Sequence, residues 1–262
     1  MSSRFRARSI AWSVSPPWER ETAVQIRASP PKVVPLRLDE YLVKTGLAPS
    51  RSRAKQLVKM GVVRVNGKPV TDPSRQVGDE EVEISDPVLA DKPSGYFKLR
   101  RIIEETGVIE KKDVVLDLGS SSGGFALAAS ELASVVYGVE ISPEFRDRLE
   151  EIQKKRGNIK ITFDNVFTAD PERVAPEPVD VILDDLTLDP VSSFRALERF
   201  LPRLKPGGRV LFVAKLGSRR KEDLEATVRG FSSLVGLELE RILEGEKREI
   251  YAILRKPRAG KG

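Results

Sequence analysis

Hydrophobic and polar positions change their period twice along the chain, and the changes divide it. Residues 1–34 keep no steady period: Ser15-Pro16-Pro17 and Ser29-Pro30-Pro31 interrupt every candidate helix, and the stretch is rich in arginine. It reads as a disordered basic extension, with an RNA-contacting arm and a featureless tail as its two open readings. From Pro35 a pattern sets in. Leu38, Tyr41, Leu42 and Leu47 mark one short amphipathic helix and its exit. Ser50 suits the N-cap of a second helix, whose Ala54, Leu57, Val58 and Met60 share a face. Residues 62–70 then alternate about Asn66-Gly67, a hairpin signal. A turn at Val77-Gly78-Asp79 and a strand at Val82-Glu83-Ile84 complete a small α+β domain over residues 35–86.

Residues 87–95, with Pro87 and Pro93, read as a linker. Beyond them a helix is expected through Phe97, Leu99, Ile102 and Ile103, ending near Gly107. Short apolar runs then alternate with amphipathic stretches. Strands are expected at 113–117, 135–140, 159–163, 180–184, 209–215, 237–243 and 249–254. Helices are expected at 124–132, 143–155, 189–203 and 220–233. Continuous apolar runs of this length suit strands buried on both faces. The alternation implies an α/β domain over 96–256, a seven-stranded, mostly parallel sheet with helices on both sides.

Composition narrows the chemistry. The chain of 262 residues is 40% hydrophobic and 32% charged. It has no apolar run long enough to span a bilayer, and its first residues lack the apolar core of a signal peptide. We therefore expect a cytoplasmic protein with no membrane partner. Cys and His are both absent. That excludes disulfides, thiolate-held metals and histidine-based mechanisms, and no metal is expected. Any general base must be Asp, Glu, Lys or Tyr. The net charge is +6, and the first 90 residues carry 15 Lys and Arg against 10 Asp and Glu. Such an excess fits a polyanionic partner and an ordinary basic surface alike, so charge alone does not choose.

The clearest chemical signal is the run Val114-Val115-Leu116-Asp117-Leu118, which closes on Gly119-Ser120-Ser121-Ser122-Gly123-Gly124-Phe125. A buried strand feeding a glycine-rich turn into a helix places that turn where open α/β sheets bind ligands. The order is G-x-x-x-G-G, not the G-x-G-x-x-G of a pyrophosphate loop. Val135–Glu140 is a second apolar run ending in an acid, suited to ribose hydroxyls of a nucleoside. Asp164-Asn165 closes the third strand.

The D-L-G-x-x-x-G-G-F run resembles the first motif of class I S-adenosylmethionine (SAM) methyltransferases, most closely the FtsJ-like RNA ribose methyltransferases. The resemblance implies a Rossmann-like fold and SAM as cofactor. Its candidate contacts are Asp117, Gly119, Ser120, Ser121, Gly123, Gly124, Phe125, Glu140, Asp164, Asn165 and Asp185. At the adenine, the family offset favours Asn165 over Asp164. Leu204-Lys205-Pro206-Gly207-Gly208 resembles the L-K-P-G-G turn that opens the fifth strand of these enzymes. Lys98, Asp185, Lys215 and Glu249 resemble the family's catalytic Lys-Asp-Lys-Glu tetrad, with Asp184 a one-residue alternative to Asp185. A ribose 2′-hydroxyl is a poor nucleophile, and a lysine that is desolvated beside a second cation can serve as its base. The resemblance gives Lys215 the deprotonating or orienting role and Lys98 that of cationic neighbour.

R-L-D-x-x-L, followed by S-R-S-x-A-x-x-L-V-x-x-G-x-V-x-V-N-G-K, resembles the S-four (αL) RNA-binding domain over residues 35–86. That implies exposed phosphate contacts from Arg37, Arg51, Arg53, Lys55, Lys59 and Lys68. The two domains together resemble the TlyA-type, hemolysin-A-like rRNA methyltransferases. The expected activity is 2′-O-ribose methylation of rRNA, with RNA or a ribosomal subunit as partner. Three other readings stay open: a noncatalytic SAM-binding ribosome-assembly factor; the membrane-active hemolysin of the family's other name, against which the lack of an apolar span argues; and a methyltransferase acting on protein or a small molecule, which leaves the RNA-binding domain unexplained. Leu186-Thr187-Leu188-Asp189-Pro190 and Leu216-Gly217-Ser218 depart from both families' usual residues, where the acceptor nucleotide is expected.

Overall fold

The computed structural model describes residues 34–86, 91–245 and 248–258. The expected extension at 1–34 therefore lies outside the described residues except for Val34, as do residues 87–90 of the expected linker.

In the N-terminal domain, β1 (Leu36–Arg37) pairs antiparallel with β4 (Gln76–Val77). Val77 is thus the end of a strand rather than part of a turn. Between them run α1 (Leu38–Lys44) and α2 (Arg51–Lys59). Ser50 caps α2, its side chain accepting from the Arg53 N–H. β2 (Val63–Val65), β3 (Lys68–Pro69) and β5 (Val82–Ile84) make a second sheet in the order β3-β2-β5. Asn66 and Gly67 both take positive φ, 50° and 74°, as a tight hairpin turn requires. Leu38, Leu42, Ala54, Leu57, Val58, Val63 and Val65 form the core.

The larger domain opens with α3 (Ser94–Thr106), which begins inside the expected linker. It continues through β6 (Val114–Leu118), α4 (Gly124–Ala129), β7 (Val135–Glu140), α5 (Arg146–Lys155) and β8 (Ile159–Phe163). A single helical turn unforeseen in the sequence, α6 (Pro171–Val174), precedes β9 (Val179–Asp184). Then come α7 (Pro190–Phe200), β10 (Leu204–Lys215), α8 (Lys221–Leu234), β11 (Glu238–Glu244) and β12 (Glu249–Arg255). β10 starts five residues earlier than 209, the Lys205–Gly208 stretch being an irregularity in its pairing with β9 rather than a separate turn.

The seven strands lie in the order β11-β12-β10-β9-β6-β7-β8, with β12 antiparallel to its two neighbours. Strand periodicity sends alternate residues to opposite faces. Leu116, Ile182, Val210, Phe212, Ile250 and Ala252 pack with α7 and α8 on one face. Val115, Val181, Leu183, Leu211, Val213 and Tyr251 pack with α3, α4 and α5 on the other. Each fully buried aliphatic side chain contributes roughly 1.5–3 kcal/mol relative to exposure. The chain runs outward from β6 in one direction and from β9 in the other, so the switch point falls between them. Among the described residues no helix is long and apolar enough to cross a membrane.

Candidate active site

The glycine-rich turn leaves β6 at that switch point. Gly119, Ser121 and Gly123 all take positive φ, at 76°, 49° and 81°. Gly119 and Ser120 both donate N–H bonds to the Val139 carbonyl, at 2.9 and 3.1 Å, which ties the turn to β7. Gly138 makes room for the turn, because a Cβ there would overlap Ser120 Oγ. Glu140 is buried at the end of β7; its Oε2 accepts from Ser121 N at 2.6 Å and its Oε1 from Ser142 N at 2.7 Å. Each oxygen keeps a second lone pair for a hydroxyl donor. Asp164 and Asn165 follow β8 and are partly buried, their Oδ1 atoms accepting from Asn165 N and Phe167 N respectively.

Beside the turn lies a cleft of about 160 Å³ lined by Ser94, Gly95, Gly119, Ser120, Ser121, Ser122, Gly124, Phe125, Asp185, Thr187 and Lys215. Ser94 and Gly95 carry no periodic or motif signal that would have marked them in the sequence. Gly123 is absent from the lining. Its Cβ would point away, to 2.5 Å from Ile152 Cδ1 and 3.2 Å from Leu149 Cδ2. Gly123 supplies the left-handed turn over α5, so Gly123→Val would disturb packing against Ile152 and Leu149 as well as any approach of a ligand to the backbone there.

Two buried polar atoms here have no hydrogen-bond partner, Asp117 Oδ2 and Ser120 Oγ. Burial pushes the Asp117 carboxyl up to about 7, with the charges of Asp185 and Glu140 adding to the effect. A buried polar group without a partner is costly unless something fills the place. Turn, cleft and unpartnered atoms together fit a polar nucleoside ligand.

On the α3 face, four charges close the cleft. Lys215 ends β10 and Glu249 opens β12, and the two are direct partners in the antiparallel ladder. Both stand on the face of Leu211, Val213 and Tyr251, which is the face α3 covers. Asp185 follows β9 one position beyond Asp184 and so turns to the same side as Leu183. Lys98 comes down from α3. Its Nζ lies 2.7 Å from Asp185 Oδ2 and 2.9 Å from Glu249 Oε2. Lys215 Nζ lies 2.8 Å from Asp185 Oδ1 and 3.5 Å from Glu249 Oε1. Cations and anions alternate around a neutral ring. Lys98 also sits 5.6 Å from the ring centroids of both Phe125 and Tyr251. Lys215 is the more open lysine, 30% exposed against 16%.

The neighbouring acid does something else. Asp184 is fully buried on the opposite face, its Oδ1 accepting from Ser193 Oγ at 2.7 Å and Leu186 N at 3.2 Å. It anchors the loop that carries Asp185 to α7. Burial raises its carboxyl to about 7. The folded chain therefore holds a proton there between about pH 4 and pH 7 that the unfolded chain releases, so this site loses stability as pH rises across that range. Asp184→Asn, which keeps the acceptor oxygen, should be more stable than wild type at about pH 8, with the gain disappearing near pH 4. Urea denaturation at both pH values measures it. A pH-independent difference would show that Asp184 is not buried as the neutral acid.

Of the basic residues expected on the RNA-facing side, Arg51, Lys55, Lys59 and Lys68 are exposed and Arg37 is partly so. Arg53 is not. Its guanidinium lies over the Phe97 ring at 5.0 Å and donates to Gln56 Oε1 at 2.8 Å. Its position on α2 turns it toward α3 instead, so it braces the two domains.

Residues 93–254 match the pattern of the family described as FtsJ-like methyltransferase. The chain belongs to that family. Residues 36–83 match the S4 domain. The chain also has relatives among known proteins. Hemolysin A of Brachyspira hyodysenteriae is 34% identical over 108 residues, 40% of this chain and 45% of that one. The 16S/23S rRNA (cytidine-2′-O)-methyltransferase TlyA of Mycobacterium tuberculosis is 29% identical over 177 residues, 64% of this chain and 60% of that one. The chain thus matches about half the length of these relatives. Among solved structures, the fibrillarin pre-rRNA processing protein of Methanococcus jannaschii superposes with a TM-score of 0.55 at 22% identity, covering 71% of this chain and 82% of that one. That likeness shows the fold.

Proposed function

We propose that this FtsJ-like chain is a SAM-dependent 2′-O-ribose methyltransferase of ribosomal RNA, to which the N-terminal domain recruits the substrate. The ring of Lys98, Asp185, Lys215 and Glu249 beside the glycine-rich turn carries the reading. The Mycobacterium relative, named for cytidine 2′-O-methylation, supports the substrate class.

SAM when bound supplies a methyl already activated on a sulfonium, so the chain's task is to present and deprotonate an oxygen. The turn from Gly119 to Ser122 would hold the cofactor, with Glu140 accepting from its ribose hydroxyls and Asp117 and Ser120 offering their unpartnered atoms. Lys215, the more open lysine, faces the cleft and either takes the 2′-hydroxyl proton or holds that oxygen by an N–H bond. Asp185 and Glu249 fix Lys215 in place and balance its charge. Lys98, wedged between Phe125 and Tyr251, holds the other side of both carboxylates. Alignment supplies much of the rate.

The test is transfer from methyl-tritiated SAM to deproteinised rRNA, followed by alkaline hydrolysis. A methylated 2′-oxygen cannot attack the neighbouring phosphate, so label should survive in alkali-resistant dinucleotides. Label released in mononucleotides would mean a methylated base. No incorporation would leave a noncatalytic binder.

A further inference from the structure

An acid stands in the middle of the basic face of the N-terminal domain. Asp39, in the first turn of α1, is completely buried. Arg37 Nε lies 3.1 Å from its Oδ1, and Arg51 Nη2 and Lys55 Nζ lie 3.1 and 3.8 Å from its Oδ2. Arg51 also meets Glu40 at 3.1 Å. Cations from the end of β1 and from two turns of α2 thus converge on one carboxylate. Burial alone would push the Asp39 carboxyl up, but the bonds from Arg37 and Arg51 outweigh it and hold the group below its ordinary value.

The exposures are asymmetric. The carboxylate has none, while Arg37, Arg51 and Lys55 keep 39%, 51% and 49%. Each guanidinium has five N–H donors and each ammonium three, so Asp39 occupies a few and leaves the others to solvent. Stability gives a poor account of this arrangement. Half-exposed ion pairs contribute little, and burying a carboxylate carries a desolvation cost. Arg51 is the first residue of α2, whose first turn holds no acid, and a cation there opposes the helix dipole.

We propose that Asp39 is a positioning residue that gathers Arg37, Arg51 and Lys55 into one preorganised site for a single RNA phosphate. The proposal rests on the RNA-methyltransferase reading and specifies how its recruiting domain grips the substrate. Long cationic side chains lose rotamer freedom when they are fixed. Asp39 fixes them before RNA arrives, which leaves more of the contact energy for binding.

Asp39→Asn separates this from simple electrostatics. It is nearly isosteric, keeps an acceptor oxygen and makes the surface one charge more positive. Through-space attraction predicts tighter RNA binding; fixed cations predict weaker. The probe is a fluorescein-labelled RNA stem-loop, titrated with the full chain by fluorescence anisotropy across a KCl series. Asp39→Asn should bind about tenfold more weakly, with a salt slope shallower by about one unit. Its methyl transfer should fall at low RNA and recover at saturating RNA. Equal or tighter binding by folded Asp39→Asn overturns the proposal. A second comparison holds even if that variant fails to fold. Lys55→Met and Lys59→Met each remove one exposed charge from α2, but only Lys55 touches the cluster. Lys55→Met should weaken binding several-fold more, and equal losses would overturn the site. Wild type failing to bind the stem-loop in a salt-dependent way would overturn both the site and the RNA-methyltransferase reading; normal wild-type binding with an indifferent Asp39→Asn sinks the site alone.

Discussion

Lys215→Ala should bind SAM and RNA nearly as wild type does, yet transfer methyl groups on the order of a hundred to ten thousand times more slowly in a single turnover. The expectation follows from where Lys215 stands. It ends β10 on the α3 face, lines the cleft, and is held by Asp185 at 2.8 Å and Glu249 at 3.5 Å. Apart from Asp185 after β9, the candidate nucleoside contacts come from other strands, β6, β7 and β8. A group used only as the methyl transfers should affect the chemical step and spare ground-state binding. Equilibrium dialysis with labelled SAM and a rapid-quench measurement of transfer separate the two. Lys215→Arg tells base from positioning cation, because guanidinium does not give up its proton at working pH. An inactive Arg variant supports proton transfer; an active one recasts Lys215 as an orienting charge. Full activity in Lys215→Ala would remove the tetrad from the mechanism.

Gly124→Ala should cost about 1–3 kcal/mol of stability and, in whatever folds, slow transfer by about a hundredfold or more. A Cβ on Gly124 would lie 2.7 Å from Tyr96 N, 2.9 Å from Gly95 Cα and 3.0 Å from Gly95 C. These are backbone atoms of α3, so no flexible side chain can swing away. The helix must shift, and Lys98 lies only two residues beyond Tyr96. The added methyl therefore reaches the four-charge ring through the helix that carries one corner of it. Gly230 is the control. It lies within α8 with nothing near its would-be Cβ, so Gly230→Ala should be neutral or stabilise by up to about 1 kcal/mol. Thermal denaturation followed by circular dichroism, together with single-turnover assays, measures both variants. A Gly124→Ala protein with wild-type melting and rate would show that α3 and α4 are not rigidly apposed.

The sequence by itself determined the elements, because their signals are local. Apolar runs of five or six residues ending in Asp117, Glu140 and Asp184 read as buried strands and are strands. Asn66-Gly67 could be recognised as a turn because only such residues tolerate two successive positive φ values. The glycine spacing after β6 marked a ligand turn for the same reason. Tertiary structure decided whatever depends on which residues meet. Period two puts Lys215 and Glu249 on alternate-residue faces, but only strand order and register make them neighbours and choose the face that α3 covers. The same choice of face sends Asp185 to the lysines and Asp184 to Ser193, a one-residue difference invisible to composition. Arg53 and Lys55 look alike in sequence. The packing of α2 turns one onto Phe97 and leaves the other over Asp39. Gly123 and Gly124 are likewise adjacent and identical, yet a Cβ would drive one into α5 and the other into α3, because Gly123 is left-handed and Gly124 begins the helix. Local propensity fixes the conformation of each residue; which neighbours it meets is set by how distant segments pack.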